Sequence, residues 1–231
     1  MKEHPILFNG EMVRAILEGR KTQTRRVVNP PPPEHLPDSD IRGPEVFSPY
    51  IIRNGEQVEG EPIYGVYDDW GEWGAKFPYG QPGDRLWVRE TWSPDHKDFY
   101  PFDKMVYRAD NCHAGLKQWA KDCELHNHYP NEGCACHFRW RPSIHMKREN
   151  SRIDLEITDV RVERLQDISE EDAKAEGFGN DEDPFWRPTA CDPDSGGYPS
   201  CRNSFHYVWD SIYKNWGTNP WVFVIEFKRI K

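Results

Sequence analysis

The sequence contains no apolar run approaching the ~18 residues that a membrane-spanning helix needs, so no such helix is expected. The opening residues, Met1-Lys2-Glu3-His4-Pro5, lack the apolar core of a secretory leader. The expectation is therefore a cytoplasmic protein whose six cysteines stay mostly reduced. Net positive charge is lacking too, since 30 Lys and Arg face 39 Asp and Glu. A formal net charge of −9 argues against broad, nonspecific coating of nucleic acid, but leaves room for a small basic pocket. There is no internal repeat and no clear carboxylate cluster of the kind a metal-dependent nuclease uses. The His-x-Glu and Pro-Cys-x-x-Cys pattern of zinc deaminases is missing as well.

Aromatic residues are plentiful. Ten Trp, ten Tyr and eleven Phe in 231 residues are enough to build a core. Twenty Pro and seventeen Gly point to long irregular connections. One elaborated domain over 1–231 is expected, with insertions at about 30–80, 110–138 and 178–203. Pro5 to Phe8 reads as a short buried strand, and Met12 to Leu17 as a helix capped by Gly19. Val27-Val28 starts a second strand, and Val46 to Ile52 with Ile63 to Val66 reads as short strands. Gln81-Pro82-Gly83-Asp84 is a turn before a strand with Leu86, Val88 and Glu90 on one face and Trp87, Arg89 and Thr91 on the other. Met105 to Ala109 is its expected neighbour. Ile153, Leu155 and Ile157 alternate with polar residues, and Val160 and Val162 continue after a bulge. Ser169 with Asp172 reads as a capping box, and Phe205 to Trp216 as an amphipathic helix. Trp221 to Phe227 reads as a last buried strand. The sum is an α+β fold: a small, mostly antiparallel sheet or barrel with three short helices.

Against the acidic background one stretch reverses sign. Gly19 to Arg26 holds four cations, Arg20, Lys21, Arg25 and Arg26, with two threonines and no acid. A basic turn with hydroxyls suits a phosphate or nucleotide; it also suits a solvated helix end, where cations meet the negative end of the helix dipole. Arg85 and Arg89 are candidates for phosphate pairing, or for cross-strand ion pairs with Glu90 or Glu156. Trp87 and Trp92 can stack a base or pack in the core.

A second dense stretch runs from Cys112 to His137. It holds Cys112, His113, Cys123, His126, His128, Cys134, Cys136 and His137. Cys112, Cys123, Cys134, Cys136 and His137 are candidate ligands for a structural zinc, which favours four Cys or His in a tetrahedron. The spacing matches no familiar finger, because Cys134 and Cys136 have one residue between them instead of two. A loop of reduced thiols is the other reading.

Several phrases in order resemble the ASCH domain family: Ile16 to Arg25, Pro82 to Leu86, Ile157 to Val160, Ser169 to Gly177 and Val222 to Phe227. The phage and prophage variant is the most similar, with Gly83 to Trp92 and Arg141 to Met146. The resemblance implies a PUA-like β-barrel with flanking helices in the cytoplasm of a bacterial host. It also implies RNA or a modified nucleoside bound in a cleft, with Arg20, Arg25, Arg26, Arg85 and Arg89 as the nucleotide-binding frame. One branch of the family hydrolyses the amide of N4-acetylcytidine with a Lys, a Thr and a Glu. The matching positions here are Lys21, Thr24 and Glu176. No organic cofactor is expected. An alternative from another class is a non-catalytic phage accessory protein that binds a host protein through Trp70, Trp73, Phe77 and Tyr79; a nuclease, with Lys and acids near a phosphate, is a further alternative.

Overall fold

The computed structural model describes residues 1–94, 105–110, 140–179 and 200–231. The candidate zinc ligands Cys112, Cys123, Cys134, Cys136 and His137 lie outside these residues. So does Cys191, whereas Cys201 is described and buried.

The fold is mixed, with strands predominating. A five-stranded sheet has the order β1 (Glu3–Leu7), β8 (Arg85–Arg89), β11 (Asp154–Arg164), β12 (Trp221–Arg229) and β2 (Gln23–Val27). The β1–β8 pair is parallel and the other three pairs are antiparallel. The bulge expected in β11 falls between Ile157 and Asp159. The sheet's edges are β1 and β2, and among the described residues no ladder joins them. A side chain does: Arg26 Nη2 donates to the carbonyl of Leu7 at 3.0 Å.

Both faces of β12 are buried, which explains why it reads as an unbroken apolar run. Phe223, Ile225 and Phe227 face one core with Ile6, Leu86, Leu155 and α1 (Gly10–Leu17). Val222 and Val224 face a second core with Ile168, Ala173, Phe205 and Trp209. Each such side chain contributes about 1.5–3 kcal/mol on leaving water. The second core is covered by α2 (Glu170–Ala175) and α3 (Cys201–Tyr213). The Glu170 carboxylate accepts the Cys201 and Arg202 amides, fastening α2 to the start of α3.

The segment 30–80 makes its own small sheet. Here β3 (Ile41–Phe47), β6 (Ile63–Asp68) and β7 (Gly74–Lys76) pair in that order. The hairpin β4 (Tyr50–Arg53) and β5 (Glu56–Glu59) stands apart, turned by Asn54 and Gly55 at positive φ. Ser48-Pro49 breaks the single strand expected over 46–52. The segment is more than decoration, since Val66, Ala75 and Phe77 are buried in the first core and Phe77 lies 5.0 Å from the Phe223 ring. Two short strands, β9 (Trp92–Ser93) and β10 (Val106–Tyr107), pair in a sheet of their own; β10 does not join β8 as expected, because β1 and β11 already flank β8.

Candidate functional site

The basic stretch runs from a helix cap into a strand with a buried centre, where a turn was expected. Lys21, Gln23, Thr24 and Arg25 are each at most 3 % exposed. The second strand starts at Gln23, four residues before the expected Val27. Charged residues do not read as strand from sequence, but here the charges have partners across the fold.

Two helix ends make the site. At the end of α1, Gly19 takes φ +77°, its amide donates to the Ile16 carbonyl at 3.1 Å and the Arg20 amide to the Ala15 carbonyl at 2.9 Å. That is a Schellman motif. The end of α2 repeats it: Gly177 takes φ +102°, its amide donates to Lys174 at 2.8 Å and the Phe178 amide to Ala173 at 3.2 Å. The two ends meet where Lys21 and Glu176 form an antiparallel bridge. A Cβ on Gly177 would lie 3.0 Å from Ala15 Cβ and 3.3 Å from Lys21 Cβ, so glycine is required for space as well as for φ.

Inside this junction Lys21 Nζ donates to Glu176 Oε2 at 2.5 Å and to the Glu176 carbonyl at 2.9 Å. The Lys21 side chain is wholly inaccessible. Arg25 Nη1 takes the other oxygen, Glu176 Oε1, at 3.3 Å. Arg25 also donates to Glu163 Oε1 at 2.6 Å and lies 3.2 Å from Asp172 Oδ2. Arg161 closes the frame, reaching Glu163, Asp172 and Glu226. Gln23 donates to the Asp172 side chain at 3.1 Å.

Burial pushes the Lys21 ammonium below its ordinary range, outweighing the opposing pull of Glu176. For Asp172, burial alone acts upward, but the Gln23 hydrogen bond and the Arg25 and Arg161 charges outweigh it and hold the carboxyl low.

Thr24 and Arg26 line a neighbouring cleft. It holds about 40 Å³ and is lined by Thr24, Arg25, Arg26 and Glu176 on one side, with Phe205, Trp209 and Tyr213 of α3 opposite. Arg26 Nη1 donates to Thr24 Oγ1 at 2.9 Å, and its guanidinium lies 5.4 Å from the Phe8 ring centre. Lys21 Nζ is 5.8 Å from the same ring. Among the described residues Arg26 pairs with no carboxylate.

No protein-family model, curated protein or solved structure matches this chain.

The geometry must therefore speak for the site. It brings Lys21 and Glu176 into direct contact and sets Thr24 on the cleft wall beside Glu176. Of the expected basic frame, Arg25 and Arg26 line the cleft. Arg20 caps the junction from outside, donating to the Gly177 carbonyl at 2.6 Å and pairing with Glu18. Arg85 and Arg89 stand on β8, which β11 and β12 separate from β2. There Arg89 donates to the Met146 carbonyl at 3.0 Å and lies over Trp87, 5.0 Å from the ring centre. Neither arginine lines the Thr24 cleft. Trp92 is buried in the fold, 5 % exposed.

The sequence reading missed Glu163, Asp172 and Arg161 as members of the site. Asp172 reads as a helix cap, which it is: Ser169 Oγ accepts its amide at 3.0 Å. Arg161 and Glu163 alternate with apolar residues along β11, so a shared face was the available signal. Among the described residues no group of three or more His, Cys, Asp or Glu side chains is placed to hold a metal ion.

Proposed function

We propose that this chain is an ASCH-type protein of PUA-like fold. Its Thr24 cleft binds a nucleoside, free or within RNA, and hydrolyses the acyl amide of N4-acetylcytidine. The observation that supports this reading is the buried Lys21–Glu176 pair beside a cleft-lining threonine.

A lysine displaced from its ordinary range by burial can act as a base, which a guanidinium cannot. Neutral Lys21 takes the Thr24 hydroxyl proton as Oγ1 adds to the acyl carbon. The proton passes to the departing amine nitrogen as the C–N bond breaks, leaving an acyl ester on Thr24. Water, its proton taken by Lys21 or Glu176, then cleaves the ester to acetate and restores Thr24. Arg26, already on Thr24 Oγ1 at 2.9 Å, supplies positive charge where the tetrahedral oxygen becomes negative. Glu176 and Arg25 hold Lys21 in place.

A space of about 40 Å³ admits little more than a water. Substrate entry therefore requires α3 to carry Trp209, Ile212 and Tyr213 outward.

The test is incubation of the full chain with N4-acetylcytidine and with an acetylated RNA oligonucleotide, followed by chromatography for cytidine and acetate. Turnover that Lys21→Met and Thr24→Val both abolish is the expected result. Unchanged substrates at high protein concentration overturn the catalytic reading, and absence of RNA or nucleoside binding in a filter assay overturns the binding one.

A further inference from the structure

Far from Lys21, the small sheet of residues 41–76 carries a second feature that the nucleoside reading does not use. A groove of about 400 Å³ runs between β3, the start of β4 and the β6–β7 turn. We propose that this groove docks a lysine- or arginine-bearing segment of a partner polypeptide.

The groove's rings are held for contact. Trp70 is 75 % exposed and Tyr50 is 64 % exposed. Phe47 and Tyr67 form its floor, their ring centres 4.7 Å apart. The turn that presents Trp70 is built on Asp68, which is buried and accepts the amides of Trp70 at 2.8 Å, Glu72 at 3.3 Å and Trp73. Trp70 Nε1 donates to Asp40 Oδ2 at 3.2 Å, which orients the indole. Gly71 takes φ +72°, a conformation that favours glycine, and the Tyr50 ring lies against the turn there. Large rings fixed outward in a rigid turn lose hydrophobic stabilisation until something covers them.

Charge selects the occupant. The groove lining includes Asp69 and Glu72 and no lysine or arginine; Asp69 is already paired with Arg42 from outside the lining, which leaves Glu72 as the carboxylate open to a cation. Glu72 is well exposed and lies 3.5 Å from the imidazole of His35. Aromatic faces attract a cation, and carboxylates at their rim reinforce that attraction. A nucleic acid stacked on the same rings would set its phosphates beside those carboxylates, on a chain of net charge −9. The volume lies within the ~300–1,000 Å³ of ligand sites, and an open groove suits a side chain still attached to its backbone.

The test is calorimetric titration of the full chain with a hepta-arginine peptide at low and at physiological salt, with a hepta-glutamate peptide as control. The variants are Trp70→Ala, Tyr50→Ala and Glu72→Gln, with Glu156→Gln as a distant loss of one acid. Both ring positions are exposed, and a circular-dichroism melt checks folding. The expected result is arginine-peptide binding that either ring variant weakens about three- to ten-fold. Glu72→Gln weakens it less, and Glu156→Gln leaves it unchanged. Equal affinity across wild type and ring variants would mean attraction by net charge alone and overturns the proposal. So does no binding at low salt, or preference for a single-stranded RNA that Trp70→Ala abolishes. None of these results bears on turnover at Lys21.

Discussion

Among the described residues, one buried ionic cluster lies at the β2 edge of the large sheet and another just after β8. In the second, Glu90 is 2 % exposed and takes Arg152 on both oxygens, at 2.8 and 3.0 Å. Arg152 also reaches Asp110 at 2.7 Å and lies 4.0 Å from the Tyr107 ring centre. Burial raises the Glu90 carboxyl above the usual range despite the arginine. In the first, the arrangement is inverted: the fully buried groups are two cations, Lys21 and Arg25, which share the Glu176 carboxylate. The difference is one of proton chemistry. Arg152 keeps its proton at any workable pH, so the cation of its cluster can fix the packing but cannot serve as a base. Lys21 can lose its proton, and a hydroxyl stands on the adjoining cleft.

The comparison breaks most sharply in turnover. Lys21→Met keeps the side chain's bulk and leaves Glu176 paired with Arg25, and it should lower hydrolysis of N4-acetylcytidine about 10²–10⁴-fold. Arg152→Met should leave turnover intact in whatever fraction folds. In the wild type, kcat/KM should rise with pH, with its inflection below the ordinary lysine value of 10.5, because burial favours the neutral amine that acts as base. A pH–rate profile that is flat, or that falls through this range, would remove Lys21 from the role.

In stability the largest loss should come from Glu176→Ala. It strips a carboxylate from two buried cations, and urea unfolding should register about 3–5 kcal/mol. Arg152→Ala should cost less at neutral pH, about 1–3 kcal/mol, because Glu90 can answer by taking up a proton. The sign follows from its raised carboxyl. The folded state binds the proton more readily than the unfolded state, so the variant's deficit should shrink as pH falls toward 4.5, the value for a free glutamate. A deficit that stays constant from neutral pH to 4.5 would show that Glu90 does not titrate there.

The smallest effect belongs to Asp172→Asn, about 1 kcal/mol at neutral pH from its cap and ion pairs. Because the folded carboxyl is held low, its contribution is present above 3.8 and is lost as pH falls through the folded value. Wild type and variant should therefore converge in strong acid in thermal melts.

Local rules in the sequence determined a good deal. Gly19 caps α1 because only a residue at ease with positive φ can end a helix in that way. Ser169 and Asp172 form the capping box that their spacing announces. The alternation in Ile153 to Ile157 yields β11 with Leu155 and Ile157 buried, and the apolar run of Trp221 to Phe227 yields β12 between two cores. Each of these follows from periodicity or from one residue's backbone preference, which act within a few residues. The resemblance singled out Lys21, Thr24 and Glu176 as candidates, without any account of what surrounds them.

Tertiary structure alone decided that Gly19 to Arg26 leads from a helix cap into a buried strand. No local rule places Lys21, Gln23, Thr24 and Arg25 out of water. Their burial depends on Glu176, Asp172 and Glu163, more than 130 residues away along the chain. Assembly of the fold also separated Arg85 and Arg89 from the cleft by two strands and set Trp70 outward beside Tyr50. Charge and ring chemistry are written in the sequence, but whether a charge meets water, a partner or a cleft is set by which distant elements pack together.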